Sequence, residues 1–329
     1  MRLAAVSLLI ASALATAVSI DARPSEPESR AATGSPGCGT SHWFNGITQY
    51  HSVDVPTSAN QTESRSYSIH LPSSYDAKKP YPVVLGFHGS SSIGLFFELD
   101  TGLSGGKYSN GTIMVYPSGL GGAWAGANYS TASIPQDLAF ISTLLDELRN
   151  GWCVDDSRIY ATGMSIGAGF VNTLACSPVG DNFAAFAMGS GSFYTDNGTP
   201  TASCTPARTP LPILEIHGGS DTDVPYAGGQ GEGGVEPAIP NWLATWTARN
   251  CPTAQLTNTT ETLFAGDVHH TTWSCGAATG VVEHWKVDDM RHCWASTTLD
   301  FSQIAAGQGP TPIDGSTLVM GFFARWVKP

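Results

Sequence analysis

The chain has 329 residues, 41% hydrophobic and only 13% charged, and its 27 acidic side chains outnumber 15 basic ones for a formal net charge of −12. That composition suits a compact globular protein with a large core and excludes the disordered and fibrous classes. With no basic surplus to neutralise phosphates or meet anionic lipid, it also argues against nucleic-acid binding and membrane-surface attachment.

At the start of the chain, Met1-Arg2 precede an apolar run from Leu3 to Leu14 and the small residues Ala15-Thr16-Ala17. This is the order of a secretory signal peptide over residues 1–17, and the run is shorter than the ~20 residues that span a bilayer. Residues 18–37 are polar and carry Pro24, Pro27 and Pro36, which reads as a propeptide or disordered lead with Arg30 as a second cleavage candidate. Sequons at Asn60, Asn110, Asn128, Asn197 and Asn258 fit an exported glycoprotein. The 7 cysteines then suggest three disulfides and one odd thiol, whose pairing the sequence leaves open. No Cys-x-x-Cys spacing occurs and the histidines are scattered, so no metal site is expected. His269-His270, the one adjacent pair, reads as a loop.

From residue 38 to 329, short apolar runs alternate with helical patterns, which predicts a single catalytic domain with a mainly parallel sheet flanked by helices. Strands are expected at Arg65 to Leu71, Tyr81 to Phe87, Thr112 to Tyr116, Arg158 to Thr162, Phe183 to Met188, Pro212 to His217 and Val281 to Val287. Helices are expected behind Ser133 and Pro135, where Leu138, Ile141, Leu144, Leu145 and Leu148 share a face, and at Asn241 to Asn250 and Ser316 to Val327.

Two segments match Gly-x-Ser-x-Gly. Gly102-Leu-Ser104-Gly-Gly106 lies in loop-like sequence, whereas Gly163-Met-Ser165-Ile-Gly167 follows a predicted strand and opens a predicted helix. Only the second has the context of a nucleophile elbow, in which glycines let a strained turn hold the serine hydroxyl above the sheet. The helix start places the Ile166 N–H as one oxyanion donor. The second donor is expected in the turn after Tyr81 to Phe87, at Gly89 or Ser90, with His88 as a structural turn residue.

In this strand-turn-helix architecture the carboxylate and then the histidine follow the serine in chain order. Asp221 lies just past the end of the Pro212 to His217 strand, where side chains reach the sheet's carboxyl edge, and Asp223 is the alternative acid. Glu215 and His217 read as packed or locally hydrogen-bonded. Among later histidines, His292 occupies the loop directly after the Val281 to Val287 strand, where a base belongs. His292 would take the Ser165 proton and return it to the leaving alcohol, while Asp221 fixes the imidazole tautomer. This chemistry requires neither metal nor organic cofactor.

Tyr81-Pro-Val-Val, Phe87-His-Gly, Gly-Met-Ser-Ile-Gly, His-Gly-Gly-Ser-Asp-Thr-Asp-Val-Pro-Tyr226 and His292-Cys-Trp together resemble secreted fungal feruloyl esterases. The segment from Pro225 to Leu243 is similar to the C-type members and their poly-hydroxybutyrate depolymerase-like relatives. The resemblance implies an α/β-hydrolase fold and cleavage of ferulate and related hydroxycinnamates from plant cell-wall polysaccharide. It places the nucleophile on Ser165, the acid on Asp221 and the base on His292. Arg291 and Ala295 stand where the family usually has glycine and proline, which bears on substrate preference. Tannase-type relatives carry a cysteine before the serine that pairs with one after the histidine; Met164 stands there instead, which makes Cys293 the candidate odd cysteine.

An aromatic acyl group needs a flat apolar slot, and Trp124, Tyr129, Tyr226 and Trp294 are the loop aromatics that could line one. The expected partner is feruloylated arabinoxylan or an oligosaccharide from it. Acetylxylan esterase and polyester depolymerase chemistry would use the same triad, and a non-catalytic glycan-binding homologue is the rival of another class.

Overall fold

The computed structural model describes residues 34–58, 60–196 and 204–329. The signal-peptide reading of 1–17, most of the expected lead and the Asn197 sequon lie outside the described residues. Residues 34–37, read from the sequence as the end of that lead, are packed on the body. Gly34 pairs with Asp155, and the buried Ser35 hydroxyl donates to the Trp152 carbonyl at 2.6 Å.

The elements run in chain order as β1 (Thr48–Ser58), β2 (Gln61–His70), β3 (Tyr81–Phe87), α1 (Gly94–Thr101), α2 (Gly106–Ser109), β4 (Ile113–Pro117), α3 (Ile134–Gly151), β5 (Val154–Met164), α4 (Ile166–Ala175) and β6 (Ala185–Gly189). They continue as β7 (Ile213–Gly218), β8 (Gly229–Gly231), β9 (Gly234–Glu236), α5 (Ile239–Asn250), β10 (Leu256–Leu263), β11 (Val268–Cys275), β12 (Ala278–Val287), α6 (Phe301–Ala306) and α7 (Gly315–Phe323).

Ten strands form one sheet in the order β1-β2-β4-β3-β5-β6-β7-β12-β11-β10, and β8 and β9 form a separate two-stranded ribbon. The six central strands from β4 to β12 are mutually parallel, and antiparallel pairs complete both edges. Side chains on a strand alternate between faces. Val83, Leu85 and Phe87 of β3 accordingly join the core beneath α3, α4 and α5, while Val84 joins Phe97 of α1 and Phe323 of α7 on the opposite face. Burial on both faces explains why the central strands read as continuous apolar runs.

The helix behind Ser133 forms as its signals predict. The Ser133 N–H donates to Gln136 Oε1 at 2.9 Å, Pro135 lies in the first turn, and Phe140, Ile141, Leu144, Leu145 and Leu148 are buried. Each such apolar side chain contributes about 1.5–3 kcal/mol relative to exposure. Disulfides join Cys38 to Cys153, Cys176 to Cys204 and Cys251 to Cys275, leaving Cys293 free and buried.

The structure corrects three expectations of local structure. His269 and His270 are not in a loop but in β11, where alternation with half-buried threonines hid a strand that pairs on both sides. The last helix ends at Phe323 rather than Val327. Strand β1 and helix α1 were not anticipated, and α1 forms one wall of the site described next.

Candidate active site

β5 runs to Met164 and α4 begins at Ile166, so Ser165 alone makes the turn between them, with φ 57° and ψ −128°. A non-glycine residue there costs about 1–3 kcal/mol and persists only where its surroundings over-determine it. They do so here: the Ser165 N–H donates to the Gly189 carbonyl at 3.0 Å, and its own carbonyl accepts from Gly169 at 3.0 Å and Ser192 at 3.1 Å. The flanking glycines are required by close approach. A Cβ on Gly163 would sit 2.7 Å from the Gly167 carbonyl carbon, and one on Gly167 would run into the carbonyl oxygens of Phe87 and His88.

Strands β7 and β12 are parallel neighbours, so the loops after their carboxyl ends meet. One carries Asp221 and the other His292. His292 Nε2 lies 2.9 Å from Ser165 Oγ, and Nδ1 lies 2.8 Å from Asp221 Oδ2. Asp221 is buried, and its other oxygen accepts from the Asp223 N–H at 2.9 Å and the Val224 N–H at 2.8 Å. Asp223, the alternative acid, thus supports Asp221 through its backbone while its side chain is exposed at the cleft. The His292 loop is tied down on both sides: Arg291 donates to the Ala306 carbonyl at 3.2 Å, and Ser190 Oγ donates to the Cys293 carbonyl at 3.0 Å.

The turn after β3 faces the serine. A Cβ on Gly89 would lie 3.5 Å from Ser165 Cβ, so the backbone passes directly beside the hydroxyl. Among the described residues, no backbone carbonyl accepts from the N–H of Gly89, Ser90 or Ile166. His88 is held as a neutral imidazole. Nδ1 meets the Gly89 carbonyl at 2.7 Å, Nε2 accepts from the Gly119 N–H at 2.9 Å, and burial pushes its pKa down to about 4.

Ser165 opens into a cleft of about 360 Å³ bounded by α1, the turn after β3, and α6. Its aromatic walls are Phe96 and Phe97 from α1 and Phe301 from α6, with Ala305 and Ala306 beside them. Phe96 is 51% and Phe301 58% exposed, as apolar surface facing an open slot would be. None of the four aromatics expected to line the slot does so. Trp124 is fully buried, stacked at 5.0 Å on Phe170 and edge-on to Phe87. Trp294 is buried against Phe97 and donates its indole N–H to Ser316 Oγ at 3.1 Å. Tyr226 is half-buried, with its hydroxyl 3.0 Å from His284 Nε2. Tyr129 comes nearest, since its phenol hydrogen-bonds Ser90, which lines the cleft. The sequence signal for the actual lining was weak: an apolar Leu95-Phe-Phe97 stretch on a short helix just past the His88-Gly89 turn.

Two carboxyls near the site are displaced upward. Burial raises Glu236 to about 7, although its Oε2 accepts from the Phe193 N–H at 2.8 Å. Burial and then the neighbouring Asp100 raise Asp300, at the start of α6, to about 7. The group of metal-ligand type Cys176, Asp196 and Cys204 has its two sulfurs engaged with each other in a disulfide.

A protein from Aspergillus niger named Probable feruloyl esterase C is 30% identical over 224 residues, covering 62% of this chain and 71% of that protein. The chain belongs to the feruloyl esterase C family, among the carboxylic ester hydrolases. The protein named Feruloyl esterase C from Emericella nidulans is 29% identical over 206 residues, covering 59% of this chain and 65% of that one. Among solved structures, an acetyl xylan esterase from Aspergillus awamori superposes with TM-score 0.57 at 18% identity over 83% of this chain and 99% of that chain, which shows the α/β-hydrolase fold. No protein-family profile matches the chain.

Proposed function

We propose that this member of the feruloyl esterase C family is a secreted serine esterase that releases ferulic acid and related hydroxycinnamates from arabinoxylan or its oligosaccharides. One observation carries the reading. His292 bridges Ser165 at 2.9 Å and Asp221 at 2.8 Å at the foot of a cleft walled by Phe96, Phe97 and Phe301.

In the proposed reaction, Ser165 Oγ attacks the ester carbonyl as His292 Nε2 takes its proton. Asp221 stabilises the resulting imidazolium. The oxyanion forms against the N–H of Ile166 and that of Gly89 or Ser90. Collapse breaks the bond to the sugar oxygen, which leaves with the proton from His292, and the hydroxycinnamoyl group remains on Ser165. Water then gives its proton to His292, attacks the acyl carbonyl and releases the free acid with Ser165 restored. The cinnamoyl ring lies flat between Phe96 and Phe301, and the sugar remains at the polar mouth beside Ser91, Ser92 and Asp223. Export is supported by the three disulfides and by the exposed Asn60, Asn110, Asn128 and Asn258.

The test is product release from methyl ferulate, methyl caffeate and p-nitrophenyl acetate, quantified by chromatography. Ferulate or caffeate release by the native protein supports the reading. Acetate release alone points to a short-acyl esterase, and no release at all points to a non-catalytic binding homologue.

A further inference from the structure

Behind Asp221 lies a second row of titratable groups that the reaction above does not use. Glu215 and His217 sit on β7, both fully buried. His217 Nε2 lies 2.9 Å from the Val224 carbonyl, and a carbonyl oxygen only accepts, so Nε2 carries a proton. On the other side of the ring, Nδ1 lies 2.7 Å from Glu215 Oε1. An ionised carboxylate also only accepts, so this contact requires a second ring proton. A second imidazole beside Glu215 favours its ionised form: His284 Nδ1 is 2.7 Å from Oε2, while its hydrogen bond runs to the Glu215 carbonyl at 3.3 Å. The Nε2 edge of His217 also faces Asp221 Oδ2, at 3.6 Å, which is the oxygen that receives His292.

We propose that His217 is a positioning residue for the esterase reaction, a buried imidazolium set between Glu215 and Asp221 whose charge supports the Asp221 carboxylate and opposes a second positive charge on His292. The proposal rests on the Ser165-His292-Asp221 reading. Its physical basis is Coulombic. A cation next to the acid stabilises the carboxylate, and it disfavours a second cation forming on His292. The order of groups matters: the balancing anion, Glu215, is on the far side of the ring from Asp221. Burial alone would lower the His217 pKa, but Glu215 and then Asp221 outweigh it and push it up to about 9. Burial alone would likewise raise Glu215, and His217 and His284 hold it below its ordinary value.

The other charged groups around the ring are accounted for. The Tyr226 ring stands edge-on at 5.9 Å. From β12, Lys286 pairs in register with His217, but its ammonium lies over Tyr226 and bonds Asp288 at 2.6 Å. Glu236 on β9 feels both His217 and His292. β6, the other neighbouring strand, contributes only Ala185 to Gly189, without a titratable side chain.

The test combines a direct readout with a kinetic one. In the 15N-labelled full-length protein, the His217 ring nitrogens are assigned by their loss in His217→Gln. The proposal expects both to carry protons at pH 7. In Glu215→Gln, whose amide can still hydrogen-bond the ring, His217 should revert to one ring proton at pH 7. The acid limb of kcat/KM for methyl ferulate should then move up by roughly 0.5–1 pH unit, with KM unchanged at pH 7.5. His217→Gln, which leaves the Glu215 charge in place, should move the limb in the same direction and serves if Glu215→Gln does not fold. A single ring proton on native His217 at pH 7, or an acid limb that overlays the native one in a folded variant, overturns the proposal. Retained turnover in Ser165→Ala would overturn the triad instead and leave the nitrogen result intact.

Discussion

The chain presents Gly-x-Ser-x-Gly twice, and the two serines live in different physical worlds. Ser104 lies in the loop between α1 and α2, its hydroxyl 2.9 Å from the Tyr116 phenol and its carbonyl accepting from Ser109 Oγ at 2.8 Å. Its last glycine, Gly106, would meet an added Cβ only at an ordinary 3.5 Å from Asn110. Ser165 has a positive φ between a central strand and a helix, and its last glycine has no room for a Cβ. The same five-residue pattern therefore sits in a relaxed loop in one place and in a strained strand-turn-helix beside a histidine in the other. Strain, a close-packed strand-turn-helix and a histidine within hydrogen-bond reach distinguish them.

The largest expected effect of that contrast is on turnover. Ser165→Ala should reduce kcat for methyl ferulate by a factor on the order of 10⁴ or more, while Ser104→Ala stays within about twofold. Equal losses would erase the distinction. The second contrast is in folding. Gly167→Ala should destabilise the protein by about 3 kcal/mol or more because backbone oxygens cannot yield, whereas Gly106→Ala should stay within about 0.5 kcal/mol. Denaturant midpoints of the two variants check this.

A smaller effect concerns what surrounds Ser165. Phe301→Ala removes an apolar wall and should raise KM for methyl ferulate about tenfold. The KM for p-nitrophenyl acetate, whose acyl group does not reach that wall, should change little. Parallel increases for both would mean that Phe301 supports the fold of α6 rather than the acyl group.

A last effect, confined to alkaline pH, is the pH dependence of stability near this serine. Glu236 has a folded pKa of about 7, above the ordinary 4.5, because burial disfavours its charge. The folded state therefore binds that proton more tightly than the unfolded state. This contribution is full below about pH 4.5 and is lost as pH rises through about 7. Glu236→Gln should raise the melting temperature at pH 8, by an amount corresponding to about 3 kcal/mol, and leave it nearly unchanged at pH 4.5. A gain of equal size at both values would assign the effect to packing.

How much of this was legible depended on whether a feature is local. The central strands announce themselves as apolar runs because both faces are covered, and Ser133, Pro135 and the leucine spacing mark α3. Ser165, Asp221 and His292 stand out because each follows a recognisable strand, and the parallel order of those strands brings their ends together. The cleft lining was not legible. Whether a loop aromatic faces the core or the slot is decided by tertiary packing, so Trp124 and Trp294 went inward while Phe96 and Phe301, on two short unremarkable helices, face the slot. β11 was hidden because His269-His-Thr-Thr-Trp273 carries polar residues on both faces near an exposed sheet edge. The cysteine pairs close over separations of 24 to 115 residues and leave no local trace.

The most direct test of the central claim is to trap the acyl-enzyme. The native protein is mixed with p-nitrophenyl ferulate, quenched in acid during the burst of p-nitrophenol, digested and mapped by mass spectrometry. A single feruloyl group on the peptide containing Ser165 is the predicted result. A feruloyl group on the Ser104 peptide, or ferulate release with no acylated peptide at any quench time, would contradict it.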